Sequence, residues 1–314
     1  MVSSSTATTP WWSTNTVALV TGANKGLGYA IVRKLAEVGL TVILTARDPA
    51  KGQTAIDTLR IDTGLQSIFF HPLEVRSSES AQALAKWVKE KFGGLDILVN
   101  NAGVSTNTIT YQDAEDVIGT NYYGVKNVTE SLLPLLRPSP AGARIINVSS
   151  RAALYERLGE SLRKQFKDEE DYSVELMDSM AAKYLEDKRA DRMEEEGWIV
   201  GPEECPKLKE PIYSESKMFM NGYTFTLANK FAKSQPEGQR IYVVGFCPGL
   251  VNTDMLTLAL RGGFKPPPVP MKTSAEGADT GVWLALMPKE EIEVKNGKLF
   301  GERQEYSFGW VVSF

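Results

Sequence analysis

Tyr213 and Lys217 stand four residues apart in the stretch YSESK. On an α-helix this spacing puts both side chains on one face, because residues four apart are neighbours along the helix. A phenol beside an ammonium group can give up its proton, since the positive charge favours the phenolate that remains. The chain contains one histidine, His71, which we interpret as structural, so proton transfer near neutral pH needs another acid such as this phenol.

A second group of residues points to a phosphate. Gly22, Gly26 and Gly28 lie in TGANKGLG, between a strand-like run and a helix-like run. Glycines allow a tight turn and a close backbone approach, and the free amides at a helix start attract a pyrophosphate. The spacing departs from G-x-G-x-x-G, so the strand and helix on either side are what predict a dinucleotide site here.

The end of the second predicted strand favours NADP(H) over NAD(H). An NAD site places an acid there to bind the ribose 2′-hydroxyl, but this chain has Ala46 followed by Arg47. Arg47, together with Lys25, supplies positive charge for a 2′-phosphate, which arginine can bind through two parallel hydrogen bonds. The alternative is that Arg47 is solvated and that Asp48 and Pro49 only begin the next helix.

Strand-like and helix-like runs alternate along the chain. The predicted strands are TVALVTG, TVILTA, SIFFHPLEV, LDILVNNAG, ARIINVSS and RIYVVGFCPG. Their apolar stretches are continuous, which predicts a parallel sheet covered by helices on both faces. The fold class is therefore α/β, a doubly wound parallel sheet of the Rossmann type, in which ligands bind at the carboxyl ends of the strands.

One long segment interrupts this alternation, between NVSS and YSESK. It is rich in charge, and within it apolar residues recur at helical spacing at Val174, Met177, Ala181, Tyr184 and Leu185. This pattern predicts a helical element packed on the domain by that face, and a disordered excursion is the alternative. We therefore expect a flexible tail over 1–15 and a single dinucleotide-binding catalytic domain over 16–314, with a helical insert over 151–212.

Composition limits the class of protein. The chain has 314 residues, 42% of them hydrophobic, and a net charge of −4, so it can bury a core and offers no basic surface for nucleic acid. Cys205 and Cys247 are its only cysteines, which fits a reducing compartment. The start has no apolar h-region and no long apolar run follows, which predicts a soluble, cytoplasmic protein. A plastid leader is the alternative, because the first 15 residues lack acids.

The chain resembles the short-chain dehydrogenase/reductase family through VALVTGANKGLG, LDILVNNAG, NYYG, IINVSS, YSESK and CPGLVNTDM, which occur in that order. Within the family it resembles the carbonyl reductase-like branch, including plant menthone reductases (neomenthol dehydrogenases) and salutaridine reductase, which carry a helical insertion before the Tyr-x-x-x-Lys helix. The resemblance implies a catalytic tetrad of Asn121, Ser150, Tyr213 and Lys217.

The resemblance also implies a role for each member of the tetrad. Tyr213 gives its proton to the carbonyl oxygen as hydride reaches the carbon, and Ser150 hydrogen-bonds the same oxygen. Lys217 lowers the pKa of the phenol and holds the nicotinamide ribose, and Asn121 organises a water that relays protons to Lys217. Ser149 precedes Ser150, but neighbouring strand residues point to opposite faces, and the family pattern selects Ser150. No metal is required.

Cofactor contacts follow from the same resemblance, and Glu74 is a departure because the family usually has Asp there. Asn100 and Gly103 are expected beside the adenine ribose, and the segment after RIYVVGF beside the nicotinamide. The implied NADP(H) contacts are Gly22, Asn24, Lys25, Gly26, Leu27, Gly28, Arg47, Leu73, Glu74, Asn101, Ala102, Gly103, Tyr213, Lys217, Pro248, Gly249, Val251 and Thr253.

These features predict the NADPH-dependent reduction of a ketone or aldehyde, reversible as alcohol oxidation, on a bulky apolar small molecule such as a terpenoid or alkaloid of specialised metabolism. The apolar lining is expected from Leu250, Met255, Leu256, Leu258 and Phe264. Reduction of an imine by the same residues is one alternative. A non-catalytic NADP(H)-binding sensor is another, and loss of the tyrosine would be its signature.

Neither nucleic acid nor a membrane is expected as a partner. We expect a monomer, because the insert enters where oligomeric relatives pair.

Overall fold

The computed structural model describes residues 10–153, 158–166, 172–198, 212–266 and 268–306. Within these ranges one sheet of eight strands has the order β3-β2-β1-β4-β5-β6-β7-β8. β1 to β7 pair in parallel, and β8 pairs antiparallel to β7 at the edge. The predicted α/β fold with a doubly wound parallel sheet is confirmed. The strands β1 to β8 are Val17–Val20, Thr41–Ala46, Ile68–Pro72, Ile97–Asn100, Ala143–Val148, Ile241–Phe246, Leu299–Gly301 and Gln304–Tyr306.

Helices alternate with the strands as the sequence predicts. The helices α1 to α11 are Gly26–Glu37, Pro49–Thr63, Ser78–Phe92, Tyr111–Ile118, Val125–Leu132, Glu160–Arg163, Val174–Arg189, Ile212–Ser234, Asp254–Arg261, Ser274–Leu286 and Lys289–Glu293. A π-helical turn, Gly119–Gly124, joins α4 to α5. Asp48 caps α2, as predicted, by accepting a hydrogen bond from the Lys51 amide. None of the helices in the described ranges is long and apolar enough to cross a bilayer.

The core forms two layers, one on each face of the sheet. Leu19 of β1 points into the layer that contains side chains of α3, α5, α7 and α8. Its neighbours Ala18 and Val20 point into the opposite layer, with side chains of α1, α2 and α10. Every residue of β1, β4, β5 and β6 is buried, because helices cover both faces. This double burial is why these strands read as continuous apolar runs.

The strand order reverses beside β1, which has β2 on one side and β4 on the other. At such a switch point the loops that follow the two strands diverge and leave a crevice at their carboxyl ends. The glycine-rich stretch follows β1, the NNAG stretch follows β4, and Ser150 follows β5. The fold therefore brings the predicted site residues to one edge of the sheet.

The edge hairpin of β7 and β8 is a difference from the predicted strands. Each strand has three residues, and the loop between them is Glu302 and Arg303. Both loop residues have positive φ, 55° and 60°, the conformation for which Asn and Gly are the usual residues. The loop is held from outside, since the Arg303 guanidinium makes two hydrogen bonds of 2.8 Å to the Asp279 carboxylate. The sequence therefore carries no hairpin signal.

The inserted helical element is confirmed in α7. Met177, Ala181 and Tyr184 are buried, and Val174 and Leu185 pack partly buried against the same core layer. α7 lies against α8, where a glycine makes room for it: a Cβ added to Gly222 would lie 2.1 Å from the Met177 sulfur. The parts of the predicted insert at 154–157, 167–171 and 199–211 lie outside the described residues.

The predicted tail over 1–15 differs from the structure at its C-terminal end. The Trp11 indole N–H donates to the Leu286 carbonyl at 3.1 Å, and its ring lies 4.9 Å from the Arg144 guanidinium. Trp12 also packs against the core layer of α1 and α10. Two large rings bury enough apolar area to order this segment, although its polar neighbours suggest a loop. Residues 1–9 lie outside the described ranges.

Candidate active site

The four predicted tetrad residues come together from three parts of the chain. Ser150 follows β5, Tyr213 and Lys217 lie in the first turns of α8, and Asn121 lies in the π-helical turn. The Lys217 Nζ atom is 5.7 Å from the centroid of the Tyr213 ring, and the Ser150 hydroxyl hydrogen-bonds the Tyr213 phenol. A Cβ added to Gly103 would lie 3.2 Å from Asn121 Oδ1 and 3.6 Å from Lys217 Nζ. A methyl group at this position would therefore crowd Asn121 Oδ1, and the glycine leaves the pair room.

The two serines after β5 point in opposite directions. The Ser149 side chain is buried and donates a hydrogen bond of 2.5 Å to Asn221 of α8. Ser150 is partly exposed, and its hydroxyl accepts from the Ala152 amide at 3.1 Å while it also contacts the phenol of Tyr213. Ser150 therefore lies beside the phenol of Tyr213, whereas Ser149 joins the end of β5 to α8.

Burial controls the charges of the phenol and the ammonium group. Burial lowers the pKa of Lys217 to about 8, and its Nζ donates to the Val148 carbonyl at 2.7 Å. Burial also raises the pKa of Tyr213, the nearby Cys247 adds to this, and the hydrogen bond to Ser150 acts in the opposite direction, so the lowering expected from Lys217 is not found in the chain without cofactor. Near pH 7 the phenol therefore keeps its proton, and Lys217 is mostly charged.

Asn121 holds a loop against α8. Its Oδ1 accepts from the Val104 amide at 2.8 Å, and its Nδ2 donates to the Val104 carbonyl and to the Ser216 hydroxyl, both at 2.9 Å. The Ser216 hydroxyl in turn donates to the Tyr213 carbonyl at 2.7 Å. The Asn121 side chain therefore links the loop after β4 to the first turn of the catalytic helix.

The glycine-rich stretch lies against the loop after β4. Gly22 and Gly26 both have φ of +61°, and a Cβ added to Gly22 would lie 2.8 Å from the Ala102 Cα atom. The Asn101 Nδ2 donates to the carbonyls of Thr21 and Gly22 at 2.8 and 3.0 Å. Side chains larger than hydrogen would fill this cradle, so the loop with Asn24 and Leu27 fits the close approach of a pyrophosphate.

The two asparagines of NNAG make different contacts. Asn100 is buried, and its Nδ2 donates to Thr129 at 3.0 Å and to Asn147 at 2.8 Å. The Asn101 amide nitrogen holds the glycine-rich loop, as described above. Strand alternation turns the Asn100 side chain into the core, so only its backbone faces the crevice. Gly103 lies beside Lys217, and the contacts of both residues with the ribose stay predictions.

At the adenosine end, the Arg47 side chain is open to solvent, whereas the Lys25 side chain is held in an ion pair. The Arg47 side chain is 80% exposed, and its nearest acid is Glu74 at 3.9 Å. Leu73 is buried beneath this edge, and its amide pairs with the Ala46 carbonyl. Lys25, which was expected to add positive charge for the 2′-phosphate, forms an ion pair with Asp254 at the start of α9. Exposed pairs contribute about 0–1 kcal/mol, so a phosphate can compete for either cation.

The segment after β6 closes the opposite side of the crevice. The Thr253 Cγ2 atom would lie 3.4 Å from a Cβ added to Gly26, so Thr253 faces the glycine-rich loop. Gly249 has φ of +79°, and Val251 is buried and forms a bridge with Lys272. Thr253 and the glycine-rich loop thus meet in the fold although the sequence separates them by more than 200 residues.

Three contributors to the site were missed at the sequence level. Thr21 accepts hydrogen bonds from the amides of Asn101 and Ala102 at 3.0 and 2.9 Å, which fixes NNAG against the glycine-rich loop. Ser216 binds Asn121, and Cys247 accepts from the Arg151 amide at 3.3 Å. Each of these residues lies inside a sequence stretch that carries the family resemblance, but nothing in the sequence indicates which residue it contacts. Within the described ranges, no group of three or more His, Cys, Asp or Glu could hold a metal.

The buried ammonium group predicts a pH-dependent stability. Between the pKa of about 8 in the folded chain and 10.5 in the unfolded chain, the unfolded chain binds more protons, so the free energy of unfolding rises with pH. We expect a rise of about 3 kcal/mol across this window, which Lys217→Met lacks, measured by urea unfolding without cofactor. Lys230→Met, an exposed site on the same helix, is the control. Parallel curves for the wild type and Lys217→Met would contradict the assignment.

Comparison with known proteins agrees with this geometry. The family model described as short chain dehydrogenase matches residues 16–162. A short-chain dehydrogenase/reductase of Saponaria officinalis is 38% identical over 86% of this chain and 90% of its own length. The NADPH carbonyl reductase 1 of Bos taurus is 35% identical over 93% of this chain and 98% of its own.

A solved structure extends the likeness to three dimensions. Salutaridine reductase from Papaver somniferum superposes with a TM-score of 0.76 at 30% identity, over 91% of this chain and 99% of that chain. The resemblance to the carbonyl reductase-like branch is confirmed by these relatives. With such identity over nearly the whole length, the chain belongs to the short-chain dehydrogenase family.

Proposed function

We propose that this protein reduces a ketone or aldehyde with NADPH and can run the same reaction in reverse as an alcohol oxidation. One observation carries the proposal: a buried ammonium group, Lys217, lies beside the phenol of Tyr213, which is hydrogen-bonded to Ser150. The relatives named NADPH carbonyl reductase support the same chemistry and the same cofactor. As an oxidoreductase that acts on carbonyl and alcohol groups, the protein then fits its family.

The proton steps follow from the chain's own groups. NADPH, when bound, supplies the hydride to the carbonyl carbon. Tyr213 donates its phenolic proton to the carbonyl oxygen, and Ser150 donates a hydrogen bond to that oxygen. The raised pKa of Tyr213 keeps the phenol protonated at neutral pH, as reduction needs. Lys217 then stabilises the phenolate, because its charge is largely kept below its pKa of about 8.

The cofactor preference rests on the charge at the end of β2. Arg47 is exposed there and has only the weak Glu74 pair, so it can turn to a 2′-phosphate. The second expected cation, Lys25, must leave Asp254 to take part. Since a 2′-phosphate carries close to two negative charges, it outcompetes a single exposed carboxylate for these cations. NADP(H) is therefore the cofactor that the site fits.

The substrate side is apolar. On α9, Leu256 is buried and Met255 and Leu258 are partly exposed next to the segment that borders the nicotinamide position. These side chains favour a bulky apolar carbonyl compound, such as a terpenoid or alkaloid, and a relative named salutaridine reductase fits that class.

A sensor without turnover is disfavoured, because all four tetrad side chains are present and converge. Location in the cytoplasm and the bounds of the domain and of the insert stay predictions.

The oligomeric state is part of the proposal. α7 covers α8 through Met177 against Gly222, and Tyr172 packs edge-on against Phe225 of α8 at 5.3 Å. Helices that flank the catalytic one are the surface that the family resemblance implies for pairing. A two-fold interface cannot use a patch that is already covered, so the protein is a monomer.

Tyr213→Phe should abolish turnover and leave NADPH binding intact, because the ring still packs while the transferable proton is gone. Loss of a general acid costs about 100-fold or more in kcat. Initial rates on cyclic ketones, with the corresponding imines in parallel, and NADPH titration by fluorescence measure both effects. Tyr242→Phe is the control, since that hydroxyl has no hydrogen-bond partner among the described residues. Near-normal rates for Tyr213→Phe would exclude the mechanism.

Arg47→Asp should shift the preference from NADPH toward NADH. The change removes a cation for the 2′-phosphate and adds an acceptor for the ribose hydroxyl. The ratio of kcat/KM for the two cofactors should fall about 10- to 100-fold, because a hydrogen bond to a charged group contributes about 1.5–3 kcal/mol. Lys89→Asp, an exposed charge reversal on α3, should leave the ratio unchanged. An unchanged ratio for Arg47→Asp would mean that this side chain is merely solvated.

The intact chain should scatter light as a monomer of 34.6 kDa. Replacement of residues 160–205 by a short Gly/Ser linker should expose the apolar face of α8, promote association and relax selection among bulky ketones, with NADPH affinity largely kept. A stable dimer or tetramer of the intact chain would contradict the covered interface. An unchanged substrate profile after the replacement would show that the insert does not shape the pocket.

A further inference from the structure

The π-helical turn that carries Asn121 is bound by the inserted helix α7. The Tyr122 hydroxyl donates to the Asp178 Oδ1 atom at 2.8 Å, and the Tyr123 hydroxyl donates to the Asp178 carbonyl at 3.4 Å. The Lys126 ammonium group pairs with the Asp178 Oδ2 atom. One residue of the insert therefore binds three side chains that follow Asn121 in the π-helical turn and at the start of α5.

The Tyr122 side chain makes the first of these contacts strong. Its ring is fully buried and lies edge-on to Phe219 and Tyr223 of α8, with centroids at 5.9 and 6.3 Å. A buried phenol needs a hydrogen-bond acceptor, and Asp178 supplies it. Burial raises the pKa of Tyr122, and Asp178 raises it further, so the phenol stays neutral and donates. The Asp178 carboxylate is two-thirds buried, which protects the contact from water.

A π-helical turn is rare and needs support from its surroundings. Such single turns occur mostly inside α-helices and frequently at functional sites. This one spans six residues, with Asn121 in its middle, and is held on two sides. Asn121 binds Val104 and Ser216 on the side of the active site, whereas the residues after it bind Asp178 on the side of the insert.

We propose that Asp178 is a positioning residue for Asn121, so that the insert fixes the geometry of the tetrad in addition to covering α8. Asp178 holds Tyr122, the neighbour of Asn121, and thereby keeps the Asn121 amide in register with Val104 and Ser216. In this arrangement Asp178 acts through Tyr122 and not by contact with the substrate. The catalytic consequence rests on the proposed carbonyl reduction, whereas the structural consequence at Val104 does not.

The first test measures the position of Asn121 without any reaction. The Val104 amide donates to Asn121 Oδ1, so its hydrogen exchange reports whether that contact is formed. In Asp178→Ala, exchange at Val104 should be about tenfold faster than in the wild type, whereas the Ile146 amide in β5 should not change. Glu175→Ala, at an exposed acid on the same helix, should leave both amides unchanged. Unchanged protection of Val104 in folded Asp178→Ala would overturn the proposal.

The second test measures turnover. Asp178→Ala should lower kcat for ketone reduction about 10- to 100-fold with NADPH affinity unchanged, because small misplacements of positioned groups cost rate. Asp178→Asn, which retains an acceptor for Tyr122, should restore most of kcat. Tyr122→Phe should lower kcat in the same way, and the double variant should lose less than the sum of the two single losses, because both changes remove the contact between Tyr122 and Asp178. Additive losses, or an equal loss in Glu175→Ala, would show a purely structural role and overturn the proposal.

The two tests separate the inference from the function on which its catalytic part rests. If Val104 exchange responds to Asp178 but the wild type reduces no ketone or aldehyde with NADPH, the proposed function fails and the positioning of Asn121 stands. If the wild type is active and Asp178→Ala changes neither exchange nor kcat, the proposed function stands and the inference fails.

Discussion

The ammonium group of Lys217 is a charge in the interior of the protein, and the rest of the site is arranged around it. Burial of an unpaired charge is costly, and the lowered pKa of Lys217 records that cost. The structure keeps the charge by giving it the Val148 carbonyl at the end of β5 and the face of the Tyr213 ring. A group so held lowers the stability of the fold near neutral pH, and in the proposed reaction its charge stabilises the phenolate that forms at Tyr213.

To hold that charge, α8 must dock on β5 in one register, and polar contacts in the core specify it. Asn221 of α8 binds Ser149, and Thr224 accepts a hydrogen bond of 2.8 Å from Asn147. Asn147 also accepts from Asn100, so a buried polar chain crosses from β4 through β5 to the catalytic helix. Buried polar groups are costly when unpaired, so this chain penalises any other register of the helix.

Features with a local signal could be predicted from the sequence. The continuous apolar strands, the glycine-rich stretch before α1 and the apolar face of α7 each follow from short-range chemistry. The tetrad residues came from the family resemblance, and β5 alternation separates Ser149 from Ser150. Features that depend on distant partners could not be predicted. Lys25 pairs with Asp254, 229 positions away, and nothing near Lys25 indicates this choice.

Two backbone features also had no local signal. The π-helical turn around Asn121 is stabilised by contacts to Val104 and to α7, and no residue type within NYYG specifies i to i+5 pairing. The β7 to β8 hairpin turns through Glu302 and Arg303 at positive φ because Asp279 holds the arginine from α10. In both cases tertiary contacts override the preference of the local sequence, which short-range reasoning cannot detect.

The helix α7 of the insert covers a surface of α8 and also binds the π-helical turn that carries Asn121. On α7, Met177 fits the space that Gly222 leaves on α8, and the next residue, Asp178, binds the turn that carries Asn121. Consecutive residues on a helix point about a quarter turn apart, so α7 reaches the catalytic helix with one side and the π-helical turn with the adjacent one. Docking of α7 on α8 therefore brings Asp178 to Tyr122 without further adjustment. A change that loosens the insert must then also loosen the geometry of the tetrad, although it touches neither cofactor nor substrate.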